Sequence, residues 1–416
     1  MPPEWSDPNR QKSLSDWLKR LESLHPSDIE LGLDRIRAVW RRMGQGFEKT
    51  RIITIAGTNG KGSTATLTAE LLRRHGWHVG LYTSPHFLRF NERVVTDGRP
   101  VSDAALVAAL TRVEQARGDT SLTYFEFTTL AAFDLFGRAG LDALVLEVGL
   151  GGRQDAVNIL DADCAAVTTI GLDHTDWLGE TLPEIAREKA GIARSGRPLL
   201  VGAADAHDTF REIADAVGAE LQFVPPAVRQ EQGAWSPARP HPLAGTTLPA
   251  PLLPLPSAHL ALQILARLGI DLEPALIADV LTRTVMPGRL QRLVWQGAEI
   301  WLDVAHNPQA ATWVAGVLRE QAPRWTIILG MLGDKDIRGV VQSLAILDPH
   351  WYLASLNAGP RSLTAEALRK RAELVQADCV DSVAQGIRQA VTAERPILVC
   401  GSFYTVSAAL EFLQTD

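Results

Sequence analysis

The stretch from Arg51 to Ser63, RIITIAGTNGKGS, constrains this chain more than any other. Ile52, Ile53, Thr54 and Ile55 read as a buried strand. The strand stops at a turn where Gly57, Gly60 and Gly62 let the backbone fold tightly enough for several N–H groups to point at one anion. Lys61 adds a mobile positive charge and Ser63 a hydroxyl able to ligate Mg²⁺; the following TATLTAELLRRHG reads as a helix whose N-terminus faces the same spot. In this register, Gly57, Thr58, Asn59, Gly60, Lys61, Gly62 and Ser63 predict a nucleoside triphosphate cradle. The spacing departs from G-x-x-x-x-G-K-[ST], with Ile55 at the first glycine position and Gly62 inserted between Lys61 and Ser63.

A chain of 416 residues has room for two domains. A net charge of -7 without basic tracts argues against nucleic acid as partner. No apolar run is long enough to cross a bilayer, and MPPEWSDPNRQKS lacks a cationic start followed by an apolar core. The expectation is therefore a cytoplasmic protein, a monomer, acting on small molecules away from membranes. Cys164, Cys379 and Cys400 are too few and scattered for a disulfide framework or a zinc site, and read as small buried hydrophobes.

Leu14, Trp17, Leu18, Leu21 and Leu24 recur at helical spacing behind a cap at Ser13 or Ser15, and Ile36, Val39, Trp40 and Met43 mark a second helix from about Asp34. The connection from Ile29 to Asp34, with Leu31, Gly32 and Leu33, reads by chemistry alone as a simple link. After the phosphate loop, strands are predicted at 78–83, 142–148, 164–170, 197–202 and 220–224, separated by helical patterns. This is an α/β chain whose mainly parallel P-loop sheet gathers ligands at the carboxyl ends of its strands. The proline-rich 225–256 stretch reads as irregular or edge β structure, followed by helices near 257–268 and 274–284. MPGRLQR then opens a smaller Rossmann-like open-sheet domain with a strand at 299–304, a helix at 308–320 and a strand at 325–331. The predicted domains are 1–287 and 288–416.

Several strand ends carry chemistry. Glu147 ends one strand before a GLGG turn, where P-loop enzymes place a magnesium-holding acid. Asp173, His174 and Asp176 follow the next strand, and a neutral imidazole suits a divalent metal. Thr123 and Glu126 form a capping-box start for a helix opening Tyr124-Phe125-Glu126-Phe127, and Asp155 is a candidate turn former. Lys189, beside Glu188, reads as a solvated helix lysine. In the second domain, DVAHNP (303–308), GMLGDKDI (330–337) and GSFYTV (401–406) are polar strand-end loops, expected to face the first domain across a cleft that closes on ATP.

The order of GTNGKGS, TSPH, EVGLGG, LDHTDWLG, EKAGI, PGR, DVAHNP and GSF resembles the folylpolyglutamate synthase and dihydrofolate synthase family over nearly the whole chain, with an N-terminal region like that of the bifunctional bacterial type. The resemblance implies that Ser84, Glu147 and His174 bind magnesium, joined by Lys189 carboxylated on its amine. It implies that Leu31, Gly32, Leu33, Thr123, Tyr124, Phe125, Glu126, Gln154, Asp155 and Ala156 lie around the pterin acid. It places Arg289 and Asp303 at the nucleotide, His306 and Ser402 near the incoming glutamate, and puts Ser257 where the family has an asparagine near the nucleotide. Lys61, Lys189, His174 and His306 are the implied catalytic group.

The implied reaction is ATP-dependent ligation of L-glutamate to dihydropteroate, and to reduced folyl glutamates through the γ-carboxyl. A carboxylate resists amines until phosphorylation turns it into an acyl phosphate, so the enzyme must stabilise charge as two anions meet. A monofunctional folylpolyglutamate synthase is the near rival. A muramyl-peptide ligase shares the loop but brings an N-terminal domain for which little room precedes residue 50. A nucleotide-driven switch protein, by contrast, would incorporate no glutamate.

Overall fold

The computed structural model describes residues 12–24, 30–202, 205–357, 359–391 and 395–415. Residues 1–11, read above for a leader, and Ile29 lie outside these. The chain divides into two compact units. The first takes the described chain up to His86, then Phe90–Ala250 and Pro254–Thr282; the second takes Phe87–Arg89, Pro251–Leu253 and the described chain from Arg283 onward.

The sheet of the first unit is built from β1 (Arg51–Ala56), β2 (Val79–Tyr82), β3 (Val94–Thr96), β4 (Arg99–Pro100), β5 (Ala143–Glu147), β6 (Cys164–Val167), β7 (Pro198–Val201) and β8 (Glu220–Phe223). Their spatial order is β4-β3-β2-β5-β1-β6-β7-β8. All pairs are parallel except β2 with β3 and β3 with β4. β1 sits centrally, Ile55 beside Glu147 on one flank and Ala56 beside Val167 on the other. Every residue of β5 and all of β1 but Arg51 are buried, as expected of strands covered on both faces. The loops after β2, β5, β1 and β6 therefore leave the sheet side by side at one edge.

The N-terminal helices Leu14–Leu24 and Asp34–Met43 pack on the helix Tyr124–Gly137. Trp17 meets Phe127 at 6.2 Å between ring centroids and Trp40 meets Phe133 at 5.7 Å. Ser13, rather than Ser15, caps the first helix: its hydroxyl accepts the Asp16 N–H at 3.2 Å while the Asp16 carboxylate accepts the Ser13 N–H. Within 225–254 the only regular elements among the described residues are β9 (Val228–Arg229) and β10 (Trp235–Ser236), a short antiparallel ribbon, and one turn of 3₁₀ helix; the following helix, Leu255–Arg267, begins two residues before the expected 257.

The second unit contributes β11 (Gln291–Trp295), β12 (Ala298–Asp303), β13 (Thr326–Leu329), β14 (His350–Ala354), β15 (Asp378–Val380) and β16 (Ile397–Cys400), ordered β11-β12-β16-β13-β14-β15. Only the β11–β12 pair is antiparallel. Asp303 and Leu329 both register with Cys400, which brings the loops after β12, β16 and β13 together. Cys164 and Cys400 are buried free thiols, whereas Cys379 is only partly buried. Two hairpins go beyond the sequence reading, β3–β4 and β11–β12. Their turns, Asp97-Gly98 and Gln296-Gly297, take positive φ at both residues, the backbone twist that matches paired strands.

Candidate functional site

The loop after β1 is pinned from behind. Thr58 donates its N–H to Thr169 O at 2.8 Å, Asn59 its N–H to Thr169 Oγ1 at 2.9 Å, and Thr168 Oγ1 donates to Asn59 O at 2.6 Å. Gly57 has φ +146°, and a Cβ there would lie 1.8 Å from Thr168 Oγ1. The Thr168 side chain, just after the neighbouring strand β6, thus fills the space a side chain at Gly57 would need. Gly60 begins the helix Lys61–Arg74, and no side chain caps its first turn. An uncapped helix start leaves its first N–H groups open to an anion. Ser63 Oγ is buried without a hydrogen-bond partner, an orphan that a ligand oxygen or cation would satisfy. Ser257 Oγ approaches Gly60 O at 3.4 Å.

Two ammonium groups converge on one carbonyl here. Lys61 Nζ donates to Gly57 O at 3.0 Å and Lys189 Nζ to the same oxygen at 3.1 Å. Lys189 is buried rather than solvated, which corrects the reading of its surface-like REKAGI context. Burial, then the charge of Lys61, holds its pKa down to about 7, so near neutrality part of it is uncharged. Asp155 answers with the opposite shift. Burial pushes its carboxyl up to about 6, against the pull of the N–H groups of Leu150 and Val157, which donate to it at 2.9 and 3.0 Å, and of Lys61. Asp155 is also the cap of the short 3₁₀ helix Ala156–Ile159, as the turn-former reading expects. Gln154 is half-buried beside it.

Glu147, 5% exposed, accepts the Ser84 N–H at 2.9 Å. His174 stands exposed with φ +53° at the start of the short helix Thr175–Leu178. Among the described residues no three carboxylate, imidazole or thiolate side chains converge into a ready-made metal cage. Magnesium does not require one, being held by one or two carboxylates together with phosphate oxygens and waters. A buried carboxylate beside Ser84 and the orphan hydroxyl of Ser63 supply hard oxygen ligands of that kind.

The capping box at Thr123 and Glu126 forms as expected, with Thr123 N–H donating to Glu126 Oε2 at 2.8 Å. The Phe125 ring takes the space over Gly149, where a Cβ would lie 2.6 Å from it. Leu31, Gly32 and Leu33 are half-buried; Gly32 takes φ +146° with open space around it. A cluster missed in the sequence joins this region. His86 Nδ1 accepts Arg93 Nε–H at 2.9 Å, and the Arg93 guanidinium lies 5.3 Å from the Phe90 ring and 5.9 Å from that of Tyr124. Burial and then Arg93 hold His86 down to about 4, while burial pushes Tyr124 up to about 12. The cue available was Arg93 seven residues after His86. No local pattern separated it from any surface arginine.

In the second unit, the Asp303 carboxylate is buried and accepts the N–H groups of Leu290 and Ala305, each at 2.9 Å. Burial raises its pKa against the charge of Arg289. The Arg289 guanidinium lies 5.3 Å from the Phe403 ring, and the His306 ring 6.4 Å from it. Ser402 Oγ accepts the Thr405 N–H at 3.0 Å and meets Thr405 Oγ1 at 2.7 Å; Thr405 Oγ1 donates to Gly330 O at 2.6 Å.

Residues 55–221 match the family described as Mur ligase middle domain, and residues 288–403 match Mur ligase, glutamate ligase domain. The chain is 42% identical to the dihydrofolate synthase/folylpolyglutamate synthase of Escherichia coli (strain K12), over 98% of this chain and 97% of that one. It is similar to the structure of E. coli FolC in complex with DHPP and ADP, with TM-score 0.89 and 41% identity over 98% of this chain and 99% of that one. It is also similar to a bifunctional folylpolyglutamate synthase/dihydrofolate synthase with Mn, AMPPNP and L-glutamate bound, with TM-score 0.89 and 41% identity over 97% and 98% of the two chains.

Proposed function

The chain belongs to the dihydrofolate synthase/folylpolyglutamate synthase family, and from that premise we propose how its residues divide the work. It is an ATP-dependent ligase that joins L-glutamate to dihydropteroate, and to folyl glutamates through the γ-carboxyl, with a divalent metal as cofactor. The domain up to about residue 287 holds nucleotide and acid substrate; residues 288–416 supply the glutamate.

The observation that carries the residue assignment is the pair of lysines on Gly57 O. Lys61 is held by its own loop, on Gly57 O and Thr58 O, and a triphosphate offers it far stronger acceptors. Gly57–Ser63 cradle the phosphates, with Ser257 beside Gly60; Arg289 and Asp303 are the nucleotide contacts that the family resemblance implies for the second unit. Ser84, Glu147 and His174 are the magnesium ligands, with Lys189 once its amine is carboxylated. The ion, when bound, neutralises phosphate charge during phosphoryl transfer. Lys189 suits modification because its amine is partly neutral near pH 7, and a neutral amine is the form that adds CO₂. Leu31–Leu33, Thr123–Glu126, Gln154, Asp155 and Ala156 surround the acid; His306 and Ser402 hold the glutamate.

The acid's oxygen takes the terminal phosphoryl group, and the glutamate amine then displaces phosphate from the acyl phosphate. Orientation of bound reactants supplies on the order of 7–11 kcal/mol of such a barrier. The protein acts as a cytoplasmic monomer. The test is incubation with ATP, magnesium, glutamate and ¹⁸O-carboxyl dihydropteroate or tetrahydrofolate. Glutamylated product with ¹⁸O in the released phosphate is expected; product without label in phosphate overturns the acyl-phosphate step. Absence of product with dihydropteroate alone would reduce the chain to a monofunctional folylpolyglutamate synthase.

A further inference from the structure

We infer that Arg35 is a positioning residue for the acid substrate, locking the Glu30–Leu33 segment to the first turn of the helix Tyr124–Gly137. The inference rests on the assignment of Leu31–Leu33 and Thr123–Glu126 to that substrate. Arg35 reaches across 91 residues of chain, where its Nη2 donates to Glu126 Oε1 at 3.1 Å. Through the same guanidinium it holds Glu30 twice, Nη1 on the carboxylate and Nη2 on the backbone oxygen at 3.2 Å.

Glu126 is divided between two tasks. Its Oε2 takes the Thr123 N–H and closes the capping box, while Oε1 faces Arg35. A capping-box glutamate needs no cation to satisfy the helix start. Here, however, its side chain is only 5% exposed, and a buried carboxylate needs an opposite charge. The guanidinium thus sets the rotamer of Glu126 and the path of the chain just before Leu31 in one stroke. Arg35 Nε is buried with no acceptor, so the guanidinium's bonds to Glu30 and Glu126 all run through its two Nη groups. Lysine cannot reproduce this, since a single ammonium lacks the planar fork that spans two carboxylates and a carbonyl.

The comparison is of unsubstituted protein, Arg35→Met, Arg35→Lys and Glu126→Gln, assayed with dihydropteroate and with tetrahydrofolate. Arg35→Met is expected to raise KM for the acid substrates roughly tenfold, the scale of one lost charge-assisted hydrogen bond. KM for ATP and for glutamate and kcat at saturation stay within about twofold. Arg35→Lys restores part of the loss, and Glu126→Gln added to Arg35→Met costs little more, because both act through one contact. Unchanged KM values with a lowered Tm, or an equal rise in every KM, would reduce Arg35 to a structural ion pair and overturn the inference. If Arg35→Met does not fold, Arg35→Lys carries the same KM comparison. Lack of any product from the unsubstituted chain would instead strike the functional assignment itself.

Discussion

The carboxyl edge of the first sheet and that of the second follow one plan, in which buried strands end in tight turns that expose polar loops, but they differ in how their charge is settled. On the first edge burial, aided by the charge of Lys61, lowers the pKa of Lys189, burial raises that of Asp155, and Ser63 Oγ has no partner. On the second edge the Asp303 carboxylate takes two backbone N–H groups, and Ser402 is tied to Thr405. The first edge thus crowds two amines and a buried carboxyl around one loop, whereas the second holds one buried carboxylate near a single guanidinium. Where charge develops in a transition state, donors fixed in advance lower the barrier, and the first edge is the one that gathers two amines.

The largest effect that sharpens this contrast is expected from Lys61→Ala. Loss of a charge aimed at the transferring phosphoryl group lowers kcat by about 10²–10³ with either acid substrate, measured as ADP release at saturating ATP. A fall of less than tenfold would break the picture of the first edge.

Next comes Lys189→Met. The native pKa of about 7 lies below the ordinary 10.5, so between these values the unfolded chain binds a proton that the native one resists. Native stability contributed by this group is full above 10.5 and is lost as pH falls toward 7, at no more than about 1.4 kcal/mol per pH unit. In urea unfolding without ligands, Lys189→Met should gain on the unsubstituted protein by a few kcal/mol, about 2–4, on going from pH 10 to pH 7. An identical pH slope in both proteins would mean the amine is not buried charge at all.

Gly401→Ala probes the second edge. Gly401 has φ +108°, and a Cβ would lie 2.6 Å from Gly330 O, a backbone atom that cannot swing away. The cost is about 2 kcal/mol or more, read as a lower Tm or urea midpoint. The smallest effect belongs to Ser402→Ala, which removes the cap at the start of the helix Phe403–Thr415 and costs about 1 kcal/mol. A rise in KM for glutamate alone would accompany it; unchanged KM would confine Ser402 to capping.

What was legible in the sequence was local. The Ile52–Ile55 run, the glycine loop, the capping box at Thr123 and Glu126 and the helix stripes through Trp17 and Trp40 each depend on residues a few positions apart, and each formed. The β3–β4 hairpin was overlooked although Asp97-Gly98 is a turn signal, because strands of two or three residues carry almost no alternation. Lys189 was legible only through the family resemblance, not through its own pattern. Its helix stripe suits a surface position, and its burial is decided by Gly57, 132 residues away in the chain. Arg35, Arg93 and the Thr168–Thr169 braces behind the phosphate loop are likewise products of tertiary approach.

The hydroxyl pair on the second edge has a direction. Thr405 must give its only hydrogen to Gly330 O, so the hydrogen between the two hydroxyls comes from Ser402, whose oxygen is then left with a lone pair and nothing to donate. A guest at Ser402 has to bring hydrogen with it, as an ammonium does and a carboxylate does not. Thr405→Val would hand the hydrogen back to Ser402 and turn that preference around, an outcome readable in whether an amine-blocked or an acid-blocked glutamate analogue competes better with glutamate.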